Sequence, residues 1–223
     1  MRRWLDRFHR SPIELNVRDA YALWAATYSP EAHNRLMELE QQAMLDLLPE
    51  PCARSTLDLA CGTGRYLRQL IDRQAARAFG IDLSLEMLAR ARSISSDLAQ
   101  ADLFALPLAS ASFDLIVCGL AVGHNVDLKG TIAEMARVLK YDGRLIYSDF
   151  HPLGSLLGWK RTFRASDERE YVVEHHPHFY ADHHTACRSA GLTIEAIREP
   201  RLDFDHPWRG YPAVLVIRAW KEG

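Results

Sequence analysis

The stretch LDLACGTGRYLRQL, residues 57 to 70, sets an acid, Asp58, and two glycines, Gly62 and Gly64, between an apolar strand-like run and a helix-like one. Glycines at such a place remove the side chains that would keep a ligand from the backbone. A helix starting near Arg65 offers unpaired N–H groups at its positive end. A second acid, Asp82 in GID, follows about twenty residues beyond the glycines, where a carboxylate ending a strand accepts both hydroxyls of a ribose lacking a 2′-phosphate. The pattern departs from the dinucleotide fingerprint, because the third glycine position holds Leu67 and Asp58 lies inside the strand. A diphosphate requires an uncrowded helix end, whereas an amino-acid moiety is served by a nearby acid. Taken alone, a G-x-G is also compatible with a tight, closely packed turn.

The elements that must hold these residues follow from periodicity. Residues 31 to 48 place Leu36, Leu39, Ala43 and Leu47 on one helical face, and Pro49 stops the pattern. STLDLAC, RAFGIDL, DLAQADL, FDLIVCGL and GRLIYSDF are five short aliphatic runs, the first four separated by helical patterns or loops. A helix over DLKGTIAEMARVL, with Leu128, Ile132, Met135 and Leu139 in register, ends at the turn signal YDG. Such alternation of apolar strands and helices implies a parallel sheet covered on both faces. After Phe150 the rhythm breaks: KRTFRASDEREYVVEHH reads as a hairpin around Ser166 to Glu168, and HFYADHHTACRSAG as a helix closed by Gly191. LTIEAIREP and PAVLVIRAW are two further strands with no helix between them, hence an antiparallel pair. The roughly thirty residues after the fifth strand are long for a connection and suit a lid.

Composition narrows the classes. The chain has 223 residues, with 27 Lys plus Arg against 29 Asp plus Glu, a net charge of −2 that supplies no global field for nucleic acid or an anionic membrane. Its four cysteines, Cys52, Cys61, Cys118 and Cys187, lie far apart without a C-x-x-C pair, which fits reduced thiols in a cytoplasmic protein. The basic start MRRWLDRFHR is not followed by a secretory apolar core, and the run LIVCGLAVG is far short of a membrane span.

In order along the chain, LDLACGTG, GIDLSLEMLARAR, QADLFALPLASASFDLIVCGLAVGHNVD, EMARVLKYDGRLIYSDFHP and SAGLTIEAIREP resemble the successive motifs of class I S-adenosylmethionine-dependent methyltransferases, closest in flavour to the quinone-biosynthesis and malonyl-carrier-protein (biotin-pathway) group. The resemblance covers roughly residues 20 to 220. It implies an α/β, Rossmann-like three-layer sandwich with a seven-stranded, mostly parallel sheet and an antiparallel last strand. It also implies a helical cap over 1–50, a methyltransferase domain over 51–223 and a lid at about 151–180, all within one structural unit.

The cofactor it implies is S-adenosyl-L-methionine, with S-adenosyl-L-homocysteine as product. Gly62, Gly64, Ala60 and the backbone from Gly119 to Ala121 would face its methionine part, with Asp58 placing the ammonium group. Asp82 would hold the ribose, Leu83 and Met87 would flank the adenine, and Asp102 with the Leu103 amide would meet the ring's polar edge. Tyr28, in WAATYS, resembles an aromatic that closes over the cofactor. Other roles stay open: Asp58 as a helix cap, Met87 as core, Asp102 as a loop cap. The LKYDGR stretch departs from a Pro-Gly-Gly turn common in the family, and Asp142-Gly143 supplies a similar turn.

Methyl transfer from a sulfonium asks the protein to align three atoms and exclude water, and a base is required only where the acceptor carries a proton. His124, after the fourth strand, and His151, after the fifth, are candidate bases. Tyr21 and Tyr28 are further pocket candidates. Lys160, Arg161 and Arg164 in GWKRTFR could meet an anionic substrate or an acidic carrier protein, although pairing with Asp167, Glu168 and Glu170 across the hairpin is the simpler expectation. His175, His176, His178, His183 and His184 lack a familiar ligand spacing, so no metal is expected and a packed junction with some solvated imidazoles is. Trp4, Trp24, Trp159, Phe150, Phe163 and Phe179 would suit an apolar or aromatic acceptor.

The activity implied is methylation of a small-molecule or carrier-bound acceptor, with O-methylation ahead of quinone-type C-methylation. A non-catalytic binding protein and a nicotinamide dehydrogenase are the competing classes. No Asn-Pro-Pro-Tyr type motif is present to suggest a nucleic-acid substrate.

Overall fold

The computed structural model describes residues 12–49 and 55–223. Trp4, Cys52, the basic start and the expected boundary at 50/51 lie outside the described residues. In chain order the elements are β1 (Ile13–Leu15), α1 (Val17–Trp24), α2 (Arg35–Leu45), β2 (Ser55–Leu59), α3 (Arg65–Asp72), β3 (Arg77–Asp82), α4 (Leu85–Ala91), β4 (Leu98–Gln100) and β5 (Phe113–Cys118). A short 3-10 turn at Val122–His124 then leads to α5 (Leu128–Val138), β6 (Leu139–Phe150), α6 (Pro152–Leu156), β7 (Thr162–Arg164), β8 (Glu170–Val173), α7 (Tyr180–Ser189), β9 (Leu192–Arg198) and β10 (Val214–Lys221).

Seven strands form one sheet in the order β4-β3-β2-β5-β6-β10-β9. All neighbours are parallel except β10, which runs antiparallel to both β6 and β9 and is inserted between them. The central strands are apolar on both faces because both are covered. Ile116 and Cys118 of β5 pack with Ile132 and Met135 of α5 and Cys187 of α7, while Leu115 and Val117 pack with Met44 of α2 and Leu67 of α3. The winding reverses between β2 and β5, so the carboxyl ends of those two strands leave a crevice. The YDG signal is an excursion within β6: Asp142 takes a φ of 59°, and the register with β5 slips between Phe113 and Leu115.

The stretch after β6 builds a second, three-stranded sheet, β1-β8-β7. The hairpin around Ser166–Glu168 is present, with Glu168 at a φ of 63°. Its inner strand also pairs in parallel with β1, Ile13 opposite Tyr171 and Leu15 opposite Val173. Helix α1 follows at once, capped by Asn16, whose side chain accepts from the Asp19 amide.

On α2 the apolar stripe contains a fully buried acid. Glu40 accepts a hydrogen bond from Ser148 Oγ at 2.6 Å and pairs with Arg65 at 2.8 Å, next to Met37 and Met44.

The segment leading into α7 buries His178 and the helix itself buries His183, while His176 is half-buried and His184 exposed. His183 is fully buried, with Nδ1 3.2 Å from the Tyr147 hydroxyl and Nε2 without a partner. Burial holds its pKa down to about 4 from 6.5. The unfolded chain therefore takes up a proton below pH 6.5 that the folded chain refuses until about pH 4, so this share of stability is complete above that window and lost as pH falls through it. The loss comes to about 3 kcal/mol. Urea unfolding at pH 7 and pH 4.5 should show it in the wild type and not in His183→Gln; equal pH sensitivity of the two proteins would refute the assignment.

Candidate active site

A cavity of about 310 Å³ opens at the carboxyl ends of β2, β3 and β5. The backbone around it is bent in unusual ways: Ala60 and Leu120, one residue and two residues past their strands, have φ values of 56° and 54°. Positive φ in a non-glycine residue costs free energy and clusters at functional sites. Gly62 has a φ of 55°, and a Cβ there would meet nothing within 4 Å, so its backbone faces open space. Gly64 serves a different end. At a φ of 91° it starts α3, and a Cβ would strike Ile94 Cδ1 at 2.7 Å, so it is required by conformation and packing.

Gly64 has no side chain to cap α3, and Asp58 does so from beneath, its carboxylate accepting from the Leu67 amide at 2.7 Å. Asp58 is buried, and burial pushes its carboxyl pKa up to about 8 despite that hydrogen bond. It does not line the cavity. Met87 is likewise enclosed in α4 and away from the lining.

Asp82 ends β3 with one carboxylate oxygen accepting from the Gly62 amide at 2.7 Å and the other from the Ser84 amide at 2.8 Å. Burial raises its pKa, opposed by these amides. Each oxygen keeps a lone pair for a ligand. Leu83, Asp102 and Leu103 continue the same wall, with Asp102 also accepting from the Phe104 amide at 3.3 Å. Gly119, Ala121 and Ala60 complete the floor, and Tyr21 and Tyr28 close it from the amino-terminal side. Arg65 and Tyr66 also line it.

His124 is locked. Its Nδ1 lies 2.9 Å from the Glu174 carbonyl, so that nitrogen carries the proton, and Nε2 meets both Arg161 at 2.8 Å and the Tyr21 hydroxyl at 2.9 Å. Burial, then Arg161, holds its pKa well below the usual imidazole range. Burial likewise drives the Tyr21 pKa upward. With its lone pair taken by Arg161, His124 is not free to accept a proton.

Arg161 differs most from the simpler expectation. It turns inward instead of pairing across the hairpin, donating to the Leu120 carbonyl at 2.6 Å and lying 4.8 Å over the Phe150 ring, with Nε buried and unpartnered. It lines the first cavity and a second one of about 520 Å³ walled by Phe150, Trp159, Trp208, Val172 and Val173. Arg164 is exposed on β7 and reaches neither, and Phe179 is exposed on α7's approach. His151 lines the second cavity but caps α6, with Nδ1 accepting from the Leu153 amide at 3.3 Å and Nε2 3.2 Å from Glu199.

In the sequence, Glu40 and Asp149 have no assigned role, Arg65 marks only the start of a helix, and His175 belongs to a packed junction, apart from Asp149. Both acids carried a readable signal, a charge inside an otherwise apolar stripe or strand.

A family model described as a methyltransferase domain matches residues 57–147. Malonyl-[acyl-carrier protein] O-methyltransferase of Enterobacter lignolyticus is 34% identical over 144 residues, spanning 64% of this chain and 57% of that protein. The 2-phytyl-1,4-naphtoquinone methyltransferase of Thermosynechococcus vestitus is 36% identical over 126 residues, 52% of this chain and 56% of that one. The chain thus spans little more than half the length of either relative. The crystal structure of an S-adenosylmethionine-dependent methyltransferase from Mesorhizobium loti superposes with a TM-score of 0.67 at 24% identity, over 82% of this chain and 98% of that one.

Proposed function

We propose that this chain is a class I S-adenosylmethionine-dependent methyltransferase, the family its methyltransferase-domain match and its relatives point to, and that it methylates an oxygen of a small or carrier-borne acceptor held in the second cavity. The observation that carries this reading is the junction at Arg161, whose side chain borders the donor cavity and the aromatic one together. Bound in the first cavity, the sulfonium supplies an electrophilic methyl carbon and a neutral thioether leaving group.

The protein's part is to bind and orient. The free lone pairs of Asp82 take the ribose hydroxyls. Asp102 and the Leu103 amide meet the adenine edge, beside Leu83. The open backbone at Gly62 and the cavity floor from Gly119 to Ala121 face the amino-acid end, and Arg65 offers that end's carboxylate a cation. Asp58, Gly64 and Met87 act at one remove, by holding α3, the turn and α4. Tyr21 and Tyr28 exclude water.

Arg161 has no carboxylate partner among the described residues, which favours an acceptor bearing an anionic or electron-rich oxygen. The acyl-carrier relatives support a carrier thioester as one such partner. C-methylation of a quinol ring is the second reading, favoured by the paired Trp159 and Trp208 rings, 4.9 Å apart, and by the naphthoquinone relative.

Labelled methyl donor offered with malonyl thioesters, fatty acids, small phenols and quinol precursors tests both readings, with the methylated atom read by NMR. Label on oxygen is expected. Arg161→Ala should lower kcat/KM by roughly 10- to 100-fold, the worth of one charged hydrogen bond. A protein that binds the donor yet labels none of these compounds would sink the reading.

A further inference from the structure

In the wall between the two cavities lies an unclaimed pair. Asp149, next to last in β6, is buried with 1% exposure. One of its oxygens accepts from the Phe150 amide at 2.7 Å and stands 3.0 Å from His175 Nε2, and the other has no partner. A carboxylate opposite Nε2 places the imidazole proton on that nitrogen and leaves Nδ1 with its lone pair. Nδ1 makes no hydrogen bond among the described residues, and the ring lines the aromatic cavity. The ring stands edge-on to Phe150, centroids 5.5 Å apart, and to His124, 6.2 Å apart, so it sits beside the junction with the donor cavity.

The chain makes room for this contact. A Cβ on Gly123 would collide with His175 Nε2 and both Asp149 oxygens, while the Gly123 carbonyl accepts from the His176 amide at 2.7 Å and pins the segment. The other imidazoles here have their ring nitrogens engaged: His124 by Glu174 and Arg161, His151 by Leu153 and Glu199. His206 spends Nδ1 on the Trp208 amide at 3.3 Å.

We propose that His175, oriented by Asp149, takes the proton from a hydroxyl-bearing aromatic or enolic acceptor lodged in the second cavity; this rests on the acceptor reading above and narrows its substrate class. The hydroxyl proton passes to His175 Nδ1, the oxygen forms its bond to the methyl carbon, and the electron pair of the broken carbon–sulfur bond stays on sulfur. Asp149 balances the imidazolium, and Arg161 faces the oxygen while it is negative. A carboxylate acceptor would have no use for the pair. His175 is thereby the catalytic residue and Asp149 a positioning one. The charged and titratable groups around His175 are Asp149 from β6, His124 from the 3-10 turn, Arg161 from the lid, and Glu174 and His176 beside it in the chain.

The test compares wild type, H175Q and D149N with 1-naphthol and 1-naphthoate as acceptors between about pH 5 and 9. H175Q should lose about 10²- to 10⁴-fold in kcat on naphthol. It should keep its affinity for S-adenosylhomocysteine, and its loss on naphthoate, which has no proton to give up, should be far smaller than its loss on naphthol. D149N should move the acid limb of the naphthol profile to lower pH, which a purely structural role would not do. Undiminished naphthol turnover in H175Q overturns the proposal. An equilibrium arm covers slow turnover: with S-adenosylhomocysteine bound, wild type should bind 1-naphthol about tenfold tighter than 1-methoxynaphthalene, and H175Q should bind the two equally. Equal binding by wild type, or no naphthol binding, also overturns it. Label transfer to no acceptor with the donor bound counts instead against the acceptor reading.

Discussion

Glu40→Ala should lower the melting temperature by about 10 °C. Removing one partner of a buried ion pair costs about 3–5 kcal/mol, and each kcal/mol moves a domain of this size by about 2–4 °C. Glu40 is fully buried and receives both Arg65 and the Ser148 hydroxyl, so alanine strands the 10%-exposed Arg65 side chain and leaves Ser148 without its acceptor. Arg65 also lies over the Tyr66 ring at 4.4 Å, and that ring occupies the space a Cβ on Gly119 would need. Glu40→Ala therefore loosens α2, α3 and the end of β5 together. A change below about 2 °C in a thermal scan would show that the network contributes little.

The second large effect concerns Asp82→Ala, which should weaken S-adenosylhomocysteine binding by at least about 100-fold. Two hydrogen bonds to a charged acceptor, at about 1.5–3 kcal/mol each, set that scale. Calorimetry reads it directly. Since Asp82 also ties the Gly62 and Ser84 amides, Asp82→Asn serves as the milder variant, keeping one acceptor oxygen, and its loss should fall between wild type and alanine. Affinity unchanged in the alanine variant, with melting preserved, would remove the ribose from this position.

The central sheet was readable because a buried parallel strand has no polar face to hide, as FDLIVCGL displays. The three-residue β1 was not readable: its pairing with β8 joins residues more than 150 positions apart, and nothing local in IEL requires it. The place of Asp82 and Asp102 at the cavity was legible because strand ends and the loops after them project toward the crevice. Asp58 takes the helix-cap role that the sequence left open. It alternates with Leu57 and Leu59, so its side chain leaves on the α3 face, beneath the turn. Glu40 falls in helical register with Leu36, Ala43 and Leu47, where an acid demands a buried partner that helical periodicity does not identify.

The ladder between β1 and β8 has a mechanical consequence. The Glu174 amide donates to the Leu15 carbonyl at 3.1 Å, and α1 springs from the next residue but one, so the amino-terminal side of the first cavity and a wall of the second are sewn into one piece. Any shift of that piece would carry Val172 and Val173 of the second cavity's wall with it. A displacement of either wall is therefore a displacement of both.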